Sequence, residues 1–141
     1  MTSGETFETR GRTGTDRHQV GSQHGAPTVP LVVLVDASSA SASEIVAGSL
    51  QVHERAKLVG TKTFGKGSVQ QDFPLSDGAD LHLTVQRWYL PNGQTIDHKG
   101  LTPDVTVTLA DASDAYDVAQ PSLGYAKDMQ LNVALTLLPG G

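Results

Sequence analysis

Leu31-Val32-Val33-Leu34-Val35-Asp36-Ala37-Ser38-Ser39-Ala40-Ser41-Ala42-Ser43-Glu44 is the stretch whose reading decides the fold. Its first five residues are a continuous apolar and β-branched run closed by Asp36, the pattern of a strand buried on both faces. Ser38–Ser43 is a turn of small residues. Glu44–Glu54 follows, with Ile45, Val46, Ser49, Leu50 and His53 at helical spacing. Ser41 and Glu44 fit the S-x-x-E capping box at the start of that helix. A buried strand, a tight turn and a helix in immediate succession predict a mixed α/β protein with Ser41 at the corner.

Outward from this corner, residues 1–29 are rich in Gly, Thr and Arg and hold few large apolar side chains, Phe7 and Val20 among them. A short edge strand over Thr6–Gly11 and then a loop are predicted. On the other side, Lys57-Leu58-Val59-Gly60 reads as a second short strand and Thr61–Gly67 as a glycine-bounded loop. Val69–Phe73 and Leu81–Leu90 read as the arms of a hairpin turned by Ser76-Asp77-Gly78. Leu81, Leu83 and Val85 alternate with His82, Thr84 and Gln86, which predicts one buried face. Pro91-Asn92-Gly93 is a further turn. Val105, Val107 and Leu109 alternate with Thr106 and Thr108 as a last strand, and Asp111–Ser122 is a polar linker. A final helix near Lys127–Leu138 carries Met129, Val133 and Leu137 on one stripe before Pro139-Gly140-Gly141 stops it. One domain is expected, with 1–29 as edge strand and loop, 30–110 as the core, and 111–141 as linker and closing helix.

The chain has 141 residues, 15 Gly, 7 Pro and no Cys, with a formal net charge of −5. That length suits one core, and the 38% hydrophobic and 18% charged fractions are ordinary for a globular protein. Scattered Lys and Arg on an acidic chain give no footprint for nucleic acid, so no nucleic-acid partner is expected. The lack of cysteine removes thiol nucleophiles, disulfides and Cys-ligated zinc together. No run approaches the roughly 18 apolar residues of a membrane helix. Met1-Thr2-Ser3-Gly4-Glu5 does not read as a signal-peptide start.

A serine hydroxyl is a poor nucleophile near neutral pH unless a base takes its proton and nearby donors hold the resulting oxyanion. A tight strand-to-helix turn lifts the side chain clear and points the first helical N–H groups at the developing charge. Ser41 stands there, with Ala42 N–H as the nearest donor. Taken locally, Ser38, Ser39, Ser41 and Ser43 are equally accounted for as turn and capping residues. The candidate base is Lys66, in Thr63-Phe64-Gly65-Lys66-Gly67. A lysine acts as a base only when neutral, which asks for a shift of roughly three pH units, or about 4 kcal/mol. Desolvation beside a group such as Phe64 is one source of it. A solvated loop lysine is the plain alternative.

Gly60-Thr61-Lys62-Thr63-Phe64-Gly65-Lys66 also matches seven positions of the phosphate-binding G-x-x-x-x-G-K-[ST] motif. The eighth is Gly67, which has no hydroxyl for Mg²⁺, and a strand-like segment follows where that motif needs a helix. No nucleotide is therefore expected. His18, His24, His53, His82 and His98 fall in no ligand spacing, so neither a metal nor a Ser-His-Asp triad is read from them. No cofactor is expected.

Ser39-Ala40-Ser41-Ala42-Ser43-Glu44 and, 25 residues beyond Ser41, Phe64-Gly65-Lys66-Gly67-Ser68-Val69-Gln70 resemble together the two signature blocks of the carboxyl-terminal processing (tail-specific) proteases. The likeness continues through Leu75-Ser76-Asp77-Gly78, Arg87-Trp88-Tyr89-Leu90-Pro91-Asn92-Gly93 and Lys99-Gly100-Leu101-Thr102-Pro103-Asp104-Val105. It implies a crotonase/ClpP-like α/β peptidase core and a serine endopeptidase with a Ser-Lys dyad, acting on the C-terminal tails of protein or peptide substrates. Residue by residue, it implies Ser41 as nucleophile, Lys66 as general base and Gln70 as the group that orients Lys66. It also implies upstream parts outside this sequence: a helical scaffold, a PDZ domain and a strand with a second oxyanion donor. The expectation is thus a catalytic-core fragment, with the alternative of an inactive α/β module that keeps the motif. The resemblance suggests a periplasmic or otherwise extracytoplasmic setting and leaves homo-oligomerisation open. Ala37-Ser38, where the family often has Gly, and Trp88, where it often has Tyr, depart from the pattern.

Overall fold

A computed structural model describes residues 4–21, 28–117, 119 and 124–140. The apolar run from Leu31 gives strand β3 (Val32–Val35), the small-residue turn follows, and helix α1 spans Ala42–Val52. After α1 comes β4 (Lys57–Gly60), which pairs in parallel with β3, Val32 facing Lys57 and Val35 facing Gly60. Parallel neighbours need a crossover connection, and α1 supplies it. β7 (Val105–Thr106) adds a third parallel strand, so this sheet runs β3-β4-β7.

The second sheet is antiparallel, in the order β2-β1-β6-β5, from β1 (Glu5–Gly11), β2 (Gly14–Gln19), β5 (Ser68–Pro74) and β6 (Asp80–Tyr89). The β5–β6 hairpin turns where Ser76-Asp77-Gly78 predicts it, closed by Leu75 N–H to the Ala79 carbonyl at 2.8 Å. Helix α2 (Met129–Thr136) starts at Asp128, whose carboxylate accepts the Leu131 N–H at 2.8 Å. This N-cap satisfies a donor that the first helical turn leaves orphaned.

Leu58 and Val59 of β4 are fully buried, and around them lie Val35, Ile45, Ala47, Leu90, Ile96 and Leu101. Each large side chain removed from water in this way contributes about 1.5–3 kcal/mol.

Several sequence expectations need correction. The strand expected at an edge over Thr6–Gly11 lies inside its sheet, between β2 and β6, and the loop expected after it begins as strand β2, because Gly11-Arg12-Thr13-Gly14 turns the chain back on β1; residues 22–27 of that loop lie outside the described residues. β3 is not buried on both faces. It is an edge strand, bonded only to β4 among the described residues, and Leu31 and Leu34 are 39% and 42% exposed. The predicted buried face of β6 is covered only near its C-terminal end, since Leu81 and Leu83 are exposed where the hairpin extends beyond the core. The last strand is two residues long and does not reach Leu109. The α2 stripe is also misplaced, for Met129 and Leu137 are exposed and Ala134 packs inward. Within the polar linker, Ala112–Asp114 forms a short 3₁₀ turn, while 118 and 120–123 lie outside the described residues.

Candidate active site

The strand-to-helix corner is built by local polar chemistry. Asp36 Oδ1 accepts the N–H groups of Ser38 and Ser39 at 3.0 and 2.9 Å, and the Ser39 hydroxyl at 2.9 Å. This Asx-type turn ends β3 and redirects the chain. Ser41 then adopts φ 58 and ψ −120, a conformation normally left to glycine, before α1 begins at Ala42. Non-glycine residues held this way cost on the order of 1–3 kcal/mol, and such strain gathers at functional sites. Ser41 is partly exposed and its carbonyl accepts the Glu44 N–H at 2.9 Å, which starts the helix. Ala42 occupies the first helical position, where the N–H has no intrahelical acceptor.

Glu44 joins this corner to the glycine-bounded loop. Its side chain is fully buried, and its carboxylate is enclosed by donors from both segments. Oε2 accepts Ser41 N–H at 2.9 Å and Lys66 N–H at 2.9 Å. Oε1 accepts Gly65 N–H at 2.7 Å and the Thr63 hydroxyl at 2.5 Å. The sequence reading assigned Glu44 only a capping role; its ties to the Thr63–Lys66 loop join residues far apart in the chain. The Ser41 and Lys66 nitrogens share one acceptor oxygen, so they stand no farther apart than two hydrogen bonds. Phe64 N–H to the Ser39 carbonyl at 3.0 Å adds a further tie.

From its other side the loop is held by the 96–101 segment. His98 N–H donates to the Gly65 carbonyl at 2.9 Å, and Leu101 N–H to the Thr63 hydroxyl at 2.7 Å. This close approach explains the two glycines flanking Lys66. Gly65 has φ 90, and a Cβ there would lie 2.7 Å from Gly100 N; one on Gly67 would lie 2.5 Å from Asp97 N.

Lys66 and Gln70 are exposed and share a cleft of about 750 Å³ with Phe64, Thr84, Arg87 and His98. Phe64 itself is 67% exposed. Of the histidines, His53 bonds the Glu5 carbonyl at 2.7 Å, His18 stacks on Phe7 and His82 pairs with Asp72. His24 lies outside the described residues. No cluster able to hold a metal ion is found among the described residues. No helix among them is long and apolar enough to cross a membrane.

The fold is thus a mixed α/β core in which a strained serine at a strand-to-helix corner is tied to a lysine-bearing loop. The family model for peptidase family S41 matches residues 1–107. The carboxy-terminal-processing protease of Bartonella bacilliformis is 44% identical over 122 residues, covering 84% of this chain and 28% of that protein. The carboxyl-terminal-processing protease of Synechocystis sp. is 44% identical over 142 residues, covering 97% of this chain and again 28% of the relative. Among solved structures, the photosystem II D1 C-terminal processing protease superposes with a TM-score of 0.73 at 36% identity, covering 77% of this chain and 28% of that one. The chain belongs to peptidase family S41 and carries part of its peptidase core. It spans 28% of the length of each of these two curated relatives.

Proposed function

We propose that this chain carries the catalytic groups of a serine endopeptidase that cleaves protein substrates near their C-termini. Lys66 Nζ, uncharged, takes the proton of Ser41 Oγ, and Oγ attacks the carbonyl carbon of the scissile peptide bond. The oxyanion so formed is held by the Ala42 N–H. The proton passes to the departing amine, and water later releases the acyl group from Ser41. Gln70, in the same cleft as Lys66, orients its amine. On this reading residues 30–110 hold the reacting groups, and the flanking segments belong to the same domain.

The observation that carries the reading is the shared Glu44 oxygen, which draws the backbone of the strained serine to that of the glycine-flanked lysine. Peptide hydrolysis and labelling by a serine-reactive phosphonate test it. Wild-type protein should incorporate one label, while Ser41→Ala and Lys66→Ala should lose both labelling and turnover with the fold unchanged. Turnover surviving in a clean Ser41→Ala preparation refutes it.

A second reading is favoured by the exposure of Lys66 and Phe64 and by the position of β3 at the edge of its sheet among the described residues. Under it, the chain is a catalytically inactive α/β module that retains the motif. Wild-type protein that binds peptides but takes up no phosphonate would support it.

A further inference from the structure

Where the Thr61–Gly67 loop meets the 96–101 segment there is a hollow of about 480 Å³ that shares no lining residue with the Lys66 cleft. Lys62 reaches it from the loop and Lys99 from the segment, while Gln94, Thr95 and Thr102 line it from the chain on either side of that segment. Gly100 also lines it, at φ 66, and a Cβ there would lie 2.3 Å from the Thr63 carbonyl oxygen. Loop and segment are thus in backbone contact, and the Thr63 N–H donates to the Leu101 carbonyl at 3.1 Å.

Charge at this hollow is one-sided. Among the described residues, the ammonium groups of Lys62 and Lys99 have neither an ion pair nor a hydrogen bond, whereas Lys57 is held by Asp104 at 3.2 Å. No acid lines the hollow. The acids nearest to it in sequence are engaged elsewhere, Asp97 with Arg87 Nε at 2.8 Å and Asp104 with Lys57, Gln51 and the Leu58 N–H. The side chains of Gln94 and Thr102 are likewise without a partner among the described residues. Thr95 Oγ1 accepts the Asp97 N–H at 3.1 Å, which leaves its hydroxyl proton to donate. Two like charges at one hollow repel, and an anion between them replaces that repulsion with two attractions.

We propose that this hollow binds one free phosphate ion between the ammonium groups of Lys62 and Lys99, with the Thr95 and Thr102 hydroxyls and the Gln94 amide as further donors. Lysine binds phosphate as a point charge on a flexible stem, whereas a planar carboxylate is matched by the fork of an arginine, and no arginine lines the hollow. One lysine belongs to the loop that carries Lys66 and the other to the segment that holds it, so the bound ion clamps the two together. The inference is separate from the peptidase reading, because binding is its readout and turnover does not enter.

Isothermal titration calorimetry of the whole chain with sodium phosphate, near neutral pH and at constant ionic strength, tests it. One ion per chain is expected, with binding that weakens in added sodium chloride and falls at least about tenfold in Lys62→Gln and in Lys99→Gln. Both lysines are exposed, so both variants should fold, which circular dichroism checks. Lys127→Gln alters an exposed lysine that does not line the hollow and should bind as wild type does. In phosphate the Thr63 and Leu101 amides should exchange with deuterium more slowly than in chloride of equal ionic strength, in wild type but not in Lys99→Gln. The proposal is overturned by the absence of saturable binding, by unchanged affinity in either lysine variant, or by an equal loss in Lys127→Gln. Exchange that phosphate leaves unaltered, or slows equally in Lys99→Gln, overturns it as well.

Discussion

Ser41 and Lys66, 25 residues apart in the chain, donate their backbone N–H groups to the same oxygen of Glu44. One buried carboxylate therefore sets the separation of the corner and the loop. It does so through backbone groups.

Replacing Glu44 by Gln should damage this arrangement more than removing any single surface charge. The amide offers one oxygen where the carboxylate offers two, and its NH₂ would face N–H donors. Each buried donor left without a partner costs about 1–3 kcal/mol, so a loss of several kcal/mol is expected. Urea unfolding of Glu44→Gln against wild type measures it; a loss below about 1 kcal/mol would show that the carboxylate is not the anchor described here.

The backbone of Ser41 predicts an inverted order of stability among variants that cannot act as nucleophiles. Glycine tolerates φ 58 and ψ −120, whereas alanine keeps the strain. Ser41→Gly should therefore be more stable than Ser41→Ala by about 1 kcal/mol, although glycine usually loses that comparison. Thermal unfolding of the two proteins decides the sign.

Gly67→Ala tests the packing of the loop against the 96–101 segment. The added methyl would meet the Asp97 N and Cα at 2.5 and 2.6 Å, backbone atoms that cannot swing aside. Overpacking of this kind costs about 1–3 kcal/mol. The loop should move away from Glu44, lowering the melting temperature and abolishing phosphonate labelling together. Unchanged labelling would show that loop position does not govern reactivity.

Asp104 supplies a pH dependence. Partial burial pushes its carboxyl up, but the Leu58 N–H at 2.9 Å, Lys57 at 3.2 Å and Gln51 at 3.1 Å outweigh this and hold it below its ordinary value of 3.8. A carboxyl lowered in the folded state binds its proton more readily when unfolded. Its contribution is full above pH 3.8 and is lost as the pH falls below that through the lowered value. Urea unfolding followed downward from pH 6 should show a steeper decline in wild type than in Asp104→Asn, since Glu8 and Asp111, also lowered, decline in both; parallel curves for the two would contradict it.

How far the chain could be read from its residues varies from element to element. The β3–α1 corner was legible because a continuous apolar run, a small-residue turn and a capping glutamate are each local signals, and all three agree. The β5–β6 hairpin was legible from Ser76-Asp77-Gly78 for the same reason. Strand β2 was not, because Gly14–Gln19 is polar and every residue in it is exposed, so only pairing with β1 makes it a strand. The burial of Leu31, Leu34, Leu81 and Leu83 was over-read, because periodicity tells which residues share a face and not whether anything covers it.

Ser41, Ala42 and Lys66 could be proposed from local sequence, and Gln70 from the family resemblance, because such signals belong to short stretches. The reach of Glu44 to Thr63, Gly65 and Lys66, and the pairing that sets Arg10 opposite Arg87, could not. A capping box is a contact within one helical turn, and four residues write it. A carboxylate that gathers donors from a distant loop, or a charge that faces another across a sheet, depends on which segments the core brings together. The chain by itself therefore determined the proposed reacting groups and most of the elements that bear them. The tertiary structure alone decided their separation, their exposure and the ion pairs beside them, because hydrogen bonds and Coulomb interactions depend on distance in space and not along the chain.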